Sequence, residues 1–460
     1  MKRLLCPICS LLMLLFGFIK DSASAVHLER PNILMILADD QTWSDLGCYG
    51  NTDVKTPNLD RLAREGMLFK NAFTATAMCS PSRQQLLTGL FPVRNGAYPN
   101  HSQVKPGTKS IVHYLKELGY RVGLAGKKHI GPQKSFPFEN VGGNRLNFRA
   151  IDNFVGRDKH QPYCLVVASH SPHLPWTAGN SAAYDPKKLT IHPYMVGTRE
   201  TRRALAKYYA EVTDFDREVG RCLEIVKRSG SEENTLVITT SEQGAQFPRG
   251  KWTCYETGLH VAMIVRWPKV IEAGTKTGAL VQYVDIVPTL LELVGEKKRK
   301  NLDGKSFFSV LTGSTKTHHD YVFGVQTTRG IISGSECYPI RSIRSKTHKL
   351  IWNLNYKSKF RNVLTSSRDR GGYWNSWVRK ANTDERAARL VNGYQVRPEL
   401  ELYDLRTDPY ELKNLSEAPA QKDLLKVLKT KLQTWMREQG DKGIETELAA
   451  KTRQKRNRKK

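Results

Sequence analysis

The chain has 460 residues, 39% of them apolar, which marks a globular protein with room for one large domain and a smaller one beside it. Its 72 lysines and arginines outnumber 44 aspartates and glutamates to leave a net charge of +28, so nucleic acid, anionic lipid and sulfated polysaccharide are all admissible partners. Beyond residue 25 the cysteines fall at 48, 79, 164, 222, 254 and 337 with no paired spacing, which argues against a disulfide scaffold or a zinc ribbon and leaves a single bridge open.

In chain order, residues 1–25 begin with Lys2 and Arg3, continue as an apolar run ending at Ile19, and close on Ala23-Ser24-Ala25. That is the layout of a cleavable secretory signal, and the apolar run is short for a membrane span. A secreted or periplasmic protein is expected, or a lysosomal one in a eukaryote, with no stable membrane span. The run Asn32–Ala38 predicts a buried strand that delivers Asp39-Asp40. Thr56-Pro57 opens a helix with Leu59, Leu62 and Ala63 on one face, ended by Gly66. The stretch MCSPSRQQLLTG follows at 78–89, where Cys79 suits a nucleophile, a metal ligand, half of a disulfide, or the precursor of something else. A helix over 110–118 leads to a strand over 121–125 and then Gly126-Lys127-Lys128-His129. The strand 163–169 delivers His170 and His173.

Residues 199–229 carry Leu205, Tyr208, Val212, Phe215, Val219, Leu223 and Val226 at helical spacing, predicting one long amphipathic helix or two joined ones. A strand over 235–240 feeds Glu242-Gln243, and 261–267 reads as another buried strand. Alternation of this kind predicts an α/β fold with a large, mainly parallel sheet sandwiched by helices. Ligands of such sheets lie beyond the carboxyl ends of the strands, so these polar groups are expected to converge. After about residue 320 the pattern changes to short antiparallel strands near 341–354 and 401–405 and a helix near 421–438. The resulting division is a signal at 1–25, a catalytic domain at 26–320, an α+β subdomain at 321–440 and a basic tail at 441–460. The tail ends in KTRQKRNRKK and is expected to stay disordered, as a solvated run or as polyanion capture.

Asp39, Asp40, Glu242 and Gln243 are all oxygen donors, a set that suits a hard divalent cation, Ca2+ ahead of Mg2+, and not zinc. Lys127, His129, His173, Arg83 and Lys251 add cations and proton-transfer groups. Together they suit a tetrahedral oxyanion and a departing leaving group.

The stretch Cys79-Ser80-Pro81-Ser82-Arg83, with Leu87-Thr88-Gly89, resembles the signature of the type I sulfatases within the alkaline phosphatase-like superfamily. Similar elements recur in order: Asp39-Asp40, G-K-K-H at 126–129, H-x-P-H at 170–173, G-K-W-T-x-Y-E at 250–256 and E-L-Y-D-L-x-x-D-P-x-E-x-x-N-L at 401–415. The resemblance implies that a formylglycine-generating or sulfatase-maturating enzyme oxidises Cys79 to formylglycine (3-oxoalanine) before the chain folds. The hydrated aldehyde then attacks sulfur with one hydroxyl and expels sulfate through the other. It further implies a metal held by Asp39, Asp40, Glu242, Gln243 and residue 79, with His129 as the base of the elimination. Arg83 and Lys127 would stabilise the diol oxygens, Lys251 the sulfate oxygens, and His173 would protonate the leaving group. Glu242 and Gln243 depart from the family's usual Asp followed by Asn or His, and Thr257 stands where a glycine is common.

Within the family, G-K-K-H and Arg94-Asn95-Gly96-Ala97-Tyr98 are similar to the heparan N-sulfatase (sulfamidase) branch, whereas Lys251 is typical of O-sulfatases. The expected substrate is a sulfated glycosaminoglycan or related polysaccharide, N-sulfoglucosamine units first and O-sulfated sugars next, with His101, Arg249 and His260 as candidate contacts. Nucleic acid is not an expected partner of such an enzyme. Phosphonate or phosphodiester hydrolysis on the same scaffold, and non-catalytic polyanion binding, are the competing readings.

Overall fold

The computed structural model describes residues 30–296, 299–366 and 372–454. The signal segment and the last residues of the basic tail therefore lie outside the described residues.

Most of the main sheet is written in continuous apolar runs, as strands covered on both faces require. Its strands are β1 (Asn32–Ala38), β2 (Met67–Phe73), β3 (Arg121–Gly126), β4 (Glu139–Asn140), β5 (Tyr163–Ala168), β6 (Thr235–Ser241), β7 (His260–Arg266), β8 (Thr275–Thr277) and β9 (Val281–Gln282). They lie in the order β4-β3-β5-β1-β6-β7-β2-β8, with β9 also paired to β2. Only the pairings of β7 are antiparallel. The main sheet is thus mainly parallel, as its alternation with helices predicts.

Successive residues of β1 point to opposite faces. Leu34, Ile36 and Ala38 pack in one core with Leu205, Tyr208, Val212, Phe215 and Val219 of the long helix, while Ile33, Met35 and Leu37 join Ile286, Val287 and Leu290 in another. The long helix is one unbroken element, Arg199–Arg228, capped by the Thr198 side chain, which accepts from Thr201 N.

A second sheet contains β10 (Val322–Gln326), β11 (Ile340–Arg344), β12 (His348–Asn353) and β13 (Leu400–Asp404), all antiparallel in that order. Ile343, Leu350 and Leu402 from this sheet pack against Leu428, Leu432 and Trp435 of the helix Lys422–Glu438. The expected disorder of the tail is corrected over 441–454. Residues Ile444–Arg453 form a helix, Arg453 donates to Gly96 O (2.9 Å) and Gln103 O (3.0 Å), and Gln454 bridges to Ser102. Charge counting missed this because Thr446, Glu447 and Ala450 give the helix a buried face.

Candidate functional site

The register of the parallel strands sets the site. Leu37 pairs with Ala168, Ala38 with Ser241 and Gly126 with Ala168, so β1, β3, β5 and β6 end at one level. Each then releases a polar segment at the same sheet edge: Asp39-Asp40, Lys127, His170 and Glu242-Gln243. At Gly126 (φ +84°) a Cβ would sit 2.2 Å from Ala168 O, so glycine lets the lysine loop turn there.

Cys79 is the first residue of the helix Cys79–Thr88, every residue of which is buried. Its Sγ lies 3.8 Å from Asp40 Oδ1 and 3.5 Å from Gln243 Nε2, and the free N–H groups of that first turn give the site a positive helix end. Burial, and then the neighbouring Glu242, push the thiol well above its ordinary range. It is consequently a neutral group, not an activated thiolate.

Cations surround it. Lys127 pairs with Asp39, Lys251 with Asp40 (2.6 Å), and Arg83 with Glu242 while also donating to Lys127 O (3.0 Å). Burial raises the cost of charging Asp39, yet Lys127 holds its carboxyl well below the usual range. Burial likewise opposes the charge on Lys251, but Asp40 keeps that lysine firmly protonated.

Four histidines complete the site. His129 Nε2 is 2.9 Å from His101 Nδ1; burial, then Lys127, holds His129 neutral. His173 Nδ1 donates to Leu174 O (2.6 Å), turning Nε2 to within 3.6 Å of Asp40 Oδ2. His170 is exposed beside them.

Asp39, Asp40, Cys79 and His173 present ligand atoms within 4.8 Å of one another. Two buried oxygens, Asp39 Oδ1 and Gln243 Oε1, have no hydrogen-bond partner among the described residues. Orphaned hard oxygens beside two carboxylates fit a divalent cation with oxygen ligands. Glu242 is brought near through Gln243 Nε2 (3.2 Å to Oε1), but its other oxygen is taken by Arg83.

Two expected substrate contacts are corrected. His260 is buried between Trp43 and Phe73, with ring centroids 4.3 and 4.7 Å away. Arg249 stacks on Tyr255 (3.7 Å) and donates to Tyr410 O and Glu411 O. Both serve packing, and His101 alone of the three faces the cluster. Thr257 has a structural use as well, since its Oγ1 donates to Arg249 O (2.7 Å).

Gln84 is a positioning residue that spacing did not single out. Its Nε2 donates to Ser80 Oγ (3.0 Å) and Ser102 O (3.1 Å), and its Oε1 accepts from Gly131 N (3.2 Å), tying the Cys79 helix to the segments carrying His101 and His129. The available signal was a pair of glutamines, Gln84-Gln85, inside a helix with no exposed face.

Comparison with known proteins places these residues in context. The sulfatase family model matches residues 31–153 and 144–296, and a model described as N-sulphoglucosamine sulphohydrolase, C-terminal, matches 249–365. An ulvan-active sulfatase of Formosa agariphila is 34% identical over 92% of this chain and 82% of its own. The human N-sulphoglucosamine sulphohydrolase is 30% identical over 95% of this chain and 94% of its own. Among solved structures, BT4656 in complex with its substrate D-glucosamine-2-N,6-O-disulfate superposes with a TM-score of 0.69 at 21% identity, covering 90% and 99% of the two chains. The phosphonate monoester hydrolase of Agrobacterium radiobacter also reaches 0.69, at 19% identity with 89% and 96% covered, so fold alone does not choose between sulfate and phosphonate.

Proposed function

Because this chain belongs to the sulfatase family, hydrolases of sulfate esters and sulfamates, we propose that it releases sulfate from sulfated glycans, with N-sulfoglucosamine units of a heparan-type polysaccharide as the leading substrate. The observation that carries the reading is Cys79 held neutral and buried between an acidic, oxygen-rich cluster and the cations Arg83, Lys127 and Lys251. Converted to hydrated formylglycine, residue 79 supplies two hydroxyls on one carbon, one to attack sulfur and one to expel sulfate. Asp39, Asp40, Glu242 and Gln243, with residue 79, would hold Ca2+, which supplies positive charge to polarise the attacking and sulfate oxygens.

The remaining work falls to this chain's own side chains. Lys127 and Arg83 stabilise negative charge at residue 79, and Lys251 binds a sulfate oxygen. His129, neutral, takes the proton from the second hydroxyl. His173, whose Nε2 faces Asp40, gives a proton to the departing nitrogen or oxygen. His101 orients His129 and meets the sugar. The sulfamate preference rests on the human relative and on the carboxyl-terminal family model; the ulvan-active relative favours a different polysaccharide, and Lys251 an O-sulfated one. The protein is proposed to be secreted or periplasmic, or lysosomal in a eukaryotic host; no helix among the described residues is long and apolar enough to cross a membrane.

Peptide mass spectrometry of residue 79 from the native host, paired with sulfate release from N-sulfated and O-sulfated disaccharides, tests this. Formylglycine at residue 79 is expected, together with loss of nearly all turnover in Cys79→Ala. An intact thiol in protein that still turns over overturns the mechanism, and release of O-sulfate alone overturns the sulfamate preference.

A further inference from the structure

Outside this site a second cluster joins the segment before β10 to the helix Ile286–Leu293. Asp285, fully buried, lies immediately before that helix. Both of its carboxylate oxygens are 2.9 Å from His319 Nε2, and Oδ2 is 3.4 Å from His318 Nε2. The His318 side chain is 4% exposed, and its Nε2 has no hydrogen-bond partner among the described residues. The three ligand atoms fall within 4.8 Å of one another.

Two imidazoles aimed by the same ring atom at one carboxylate is an arrangement that hydrogen bonding alone leaves incomplete, because His318 Nε2 is left with only a long 3.4 Å contact to Asp285. The carboxylate is already oriented by outer partners: Gln282 N donates to Oδ2 (2.8 Å) and Lys305 N to Oδ1 (3.0 Å). Such backing is what fixes metal-binding carboxylates in place. The neighbouring Lys305 ammonium is occupied by His318 O (2.6 Å), and Phe307 stands edge-on to His318 with centroids 6.0 Å apart, giving an apolar wall. His319 is 22% exposed, which leaves one side of the cluster open to solvent.

We propose that Asp285, His318 and His319 form a zinc site, with solvent completing the coordination. Two imidazole nitrogens and one carboxylate oxygen are the donor set that Zn2+ accepts and that Ca2+, the cation suited to the Asp39-Asp40 cluster, does not. The ion would clasp the chain just before the second sheet to the helix beneath the first, where His319 N already donates to Leu280 O (3.1 Å). Its role is structural, since nothing in the proposed sulfatase chemistry uses it.

The test uses the full chain saturated with Ca2+, titrated with ZnCl2 by calorimetry and analysed for bound metal after dialysis. One zinc per chain and a Tm raised by several degrees are expected in the wild type. Both should be lost in His319→Ala and in His318→Gln and retained in Asp40→Asn, and Co2+ in place of Zn2+ should give the visible bands of a low-symmetry site only when both histidines are present. Absence of zinc uptake by the wild type, or uptake undiminished in both histidine variants, overturns the proposal.

Discussion

At the scale of single residues, Gly244 shows how tightly the oxygen cluster is framed. A Cβ there would lie 1.7 Å from Thr257 O and 3.3 Å from Gly258 Cα, backbone that cannot yield cheaply. Gly244 also donates from its amide to Gly258 O (3.0 Å), one residue after Gln243. Gly244→Ala should cost about 3 kcal/mol or more and displace Gln243; a lowered Tm together with weakened Ca2+ binding by calorimetry checks it, and a variant with unchanged Ca2+ affinity contradicts it. Residue types were legible at this scale and partners were not. Asp-Asp, G-K-K-H and C-S-P-S-R announce chemistry by type and order, so the cluster could be assembled from the sequence. Arg249 and His260 carry equally suggestive side chains, yet one is spent on a tyrosine face and backbone carbonyls and the other on aromatic stacking. Nothing in a string of letters separates an arginine that meets solvent from one that meets Tyr255.

At the scale of elements, the strands were legible because burial on both faces writes them as apolar runs, and the long helix because its apolar stripe repeats at helical spacing. What the stripe concealed is a pair of acids on the same helix, Glu211 buried and Glu218 half-buried. Glu211 accepts from Thr177 N (2.6 Å) and Ala178 N (2.8 Å), and Glu218 accepts from Ser169 Oγ. Burial pushes both carboxyls up to about 7 from an ordinary 4.5. The folded chain therefore holds protons that the unfolded chain has released between those values. Stability from these groups is complete below pH 4.5 and is lost as pH rises through 7. Glu211→Gln and Glu218→Gln keep an acceptor without the charge and should each recover about 1–2 kcal/mol at pH 8. Thermal unfolding from pH 5 to pH 8 reads this as a shallower fall in Tm; slopes equal to wild type in both variants contradict it.

At the scale of the whole molecule, the two sheets are stitched together by buried ion pairs. Lys349 of β12 lies between Glu256, at the end of the G-K-W-T-x-Y-E motif, and Glu411 of the closing motif, at 2.9 and 3.4 Å. Those motifs were legible as family marks, but their physical meaning is packing between sheets, which only the assembled fold reveals. Arg341 of β11, with no exposed surface, pairs with Asp441 through both Nε and Nη2. A boundary at residue 440 separates these partners. Truncation after Gly440, or Asp441→Ala, strands a buried guanidinium and should cost about 3–5 kcal/mol, measured by urea unfolding. Stability equal to that of the full chain would show that the carboxyl-terminal helix is dispensable.

The docking of that helix also bears on how the protein can be handled. The described chain ends at Gln454, whose side chain donates to Asn100 O (3.0 Å) next to His101, so the docked helix closes beside the mouth of the site. Bulk attached close behind Gln454 would crowd that mouth and hinder the approach of a large polysaccharide. The start of β1, by contrast, lies at the opposite end of the strand, roughly 20 Å from Asp39. An affinity handle joined ahead of Arg30 leaves the mouth clear.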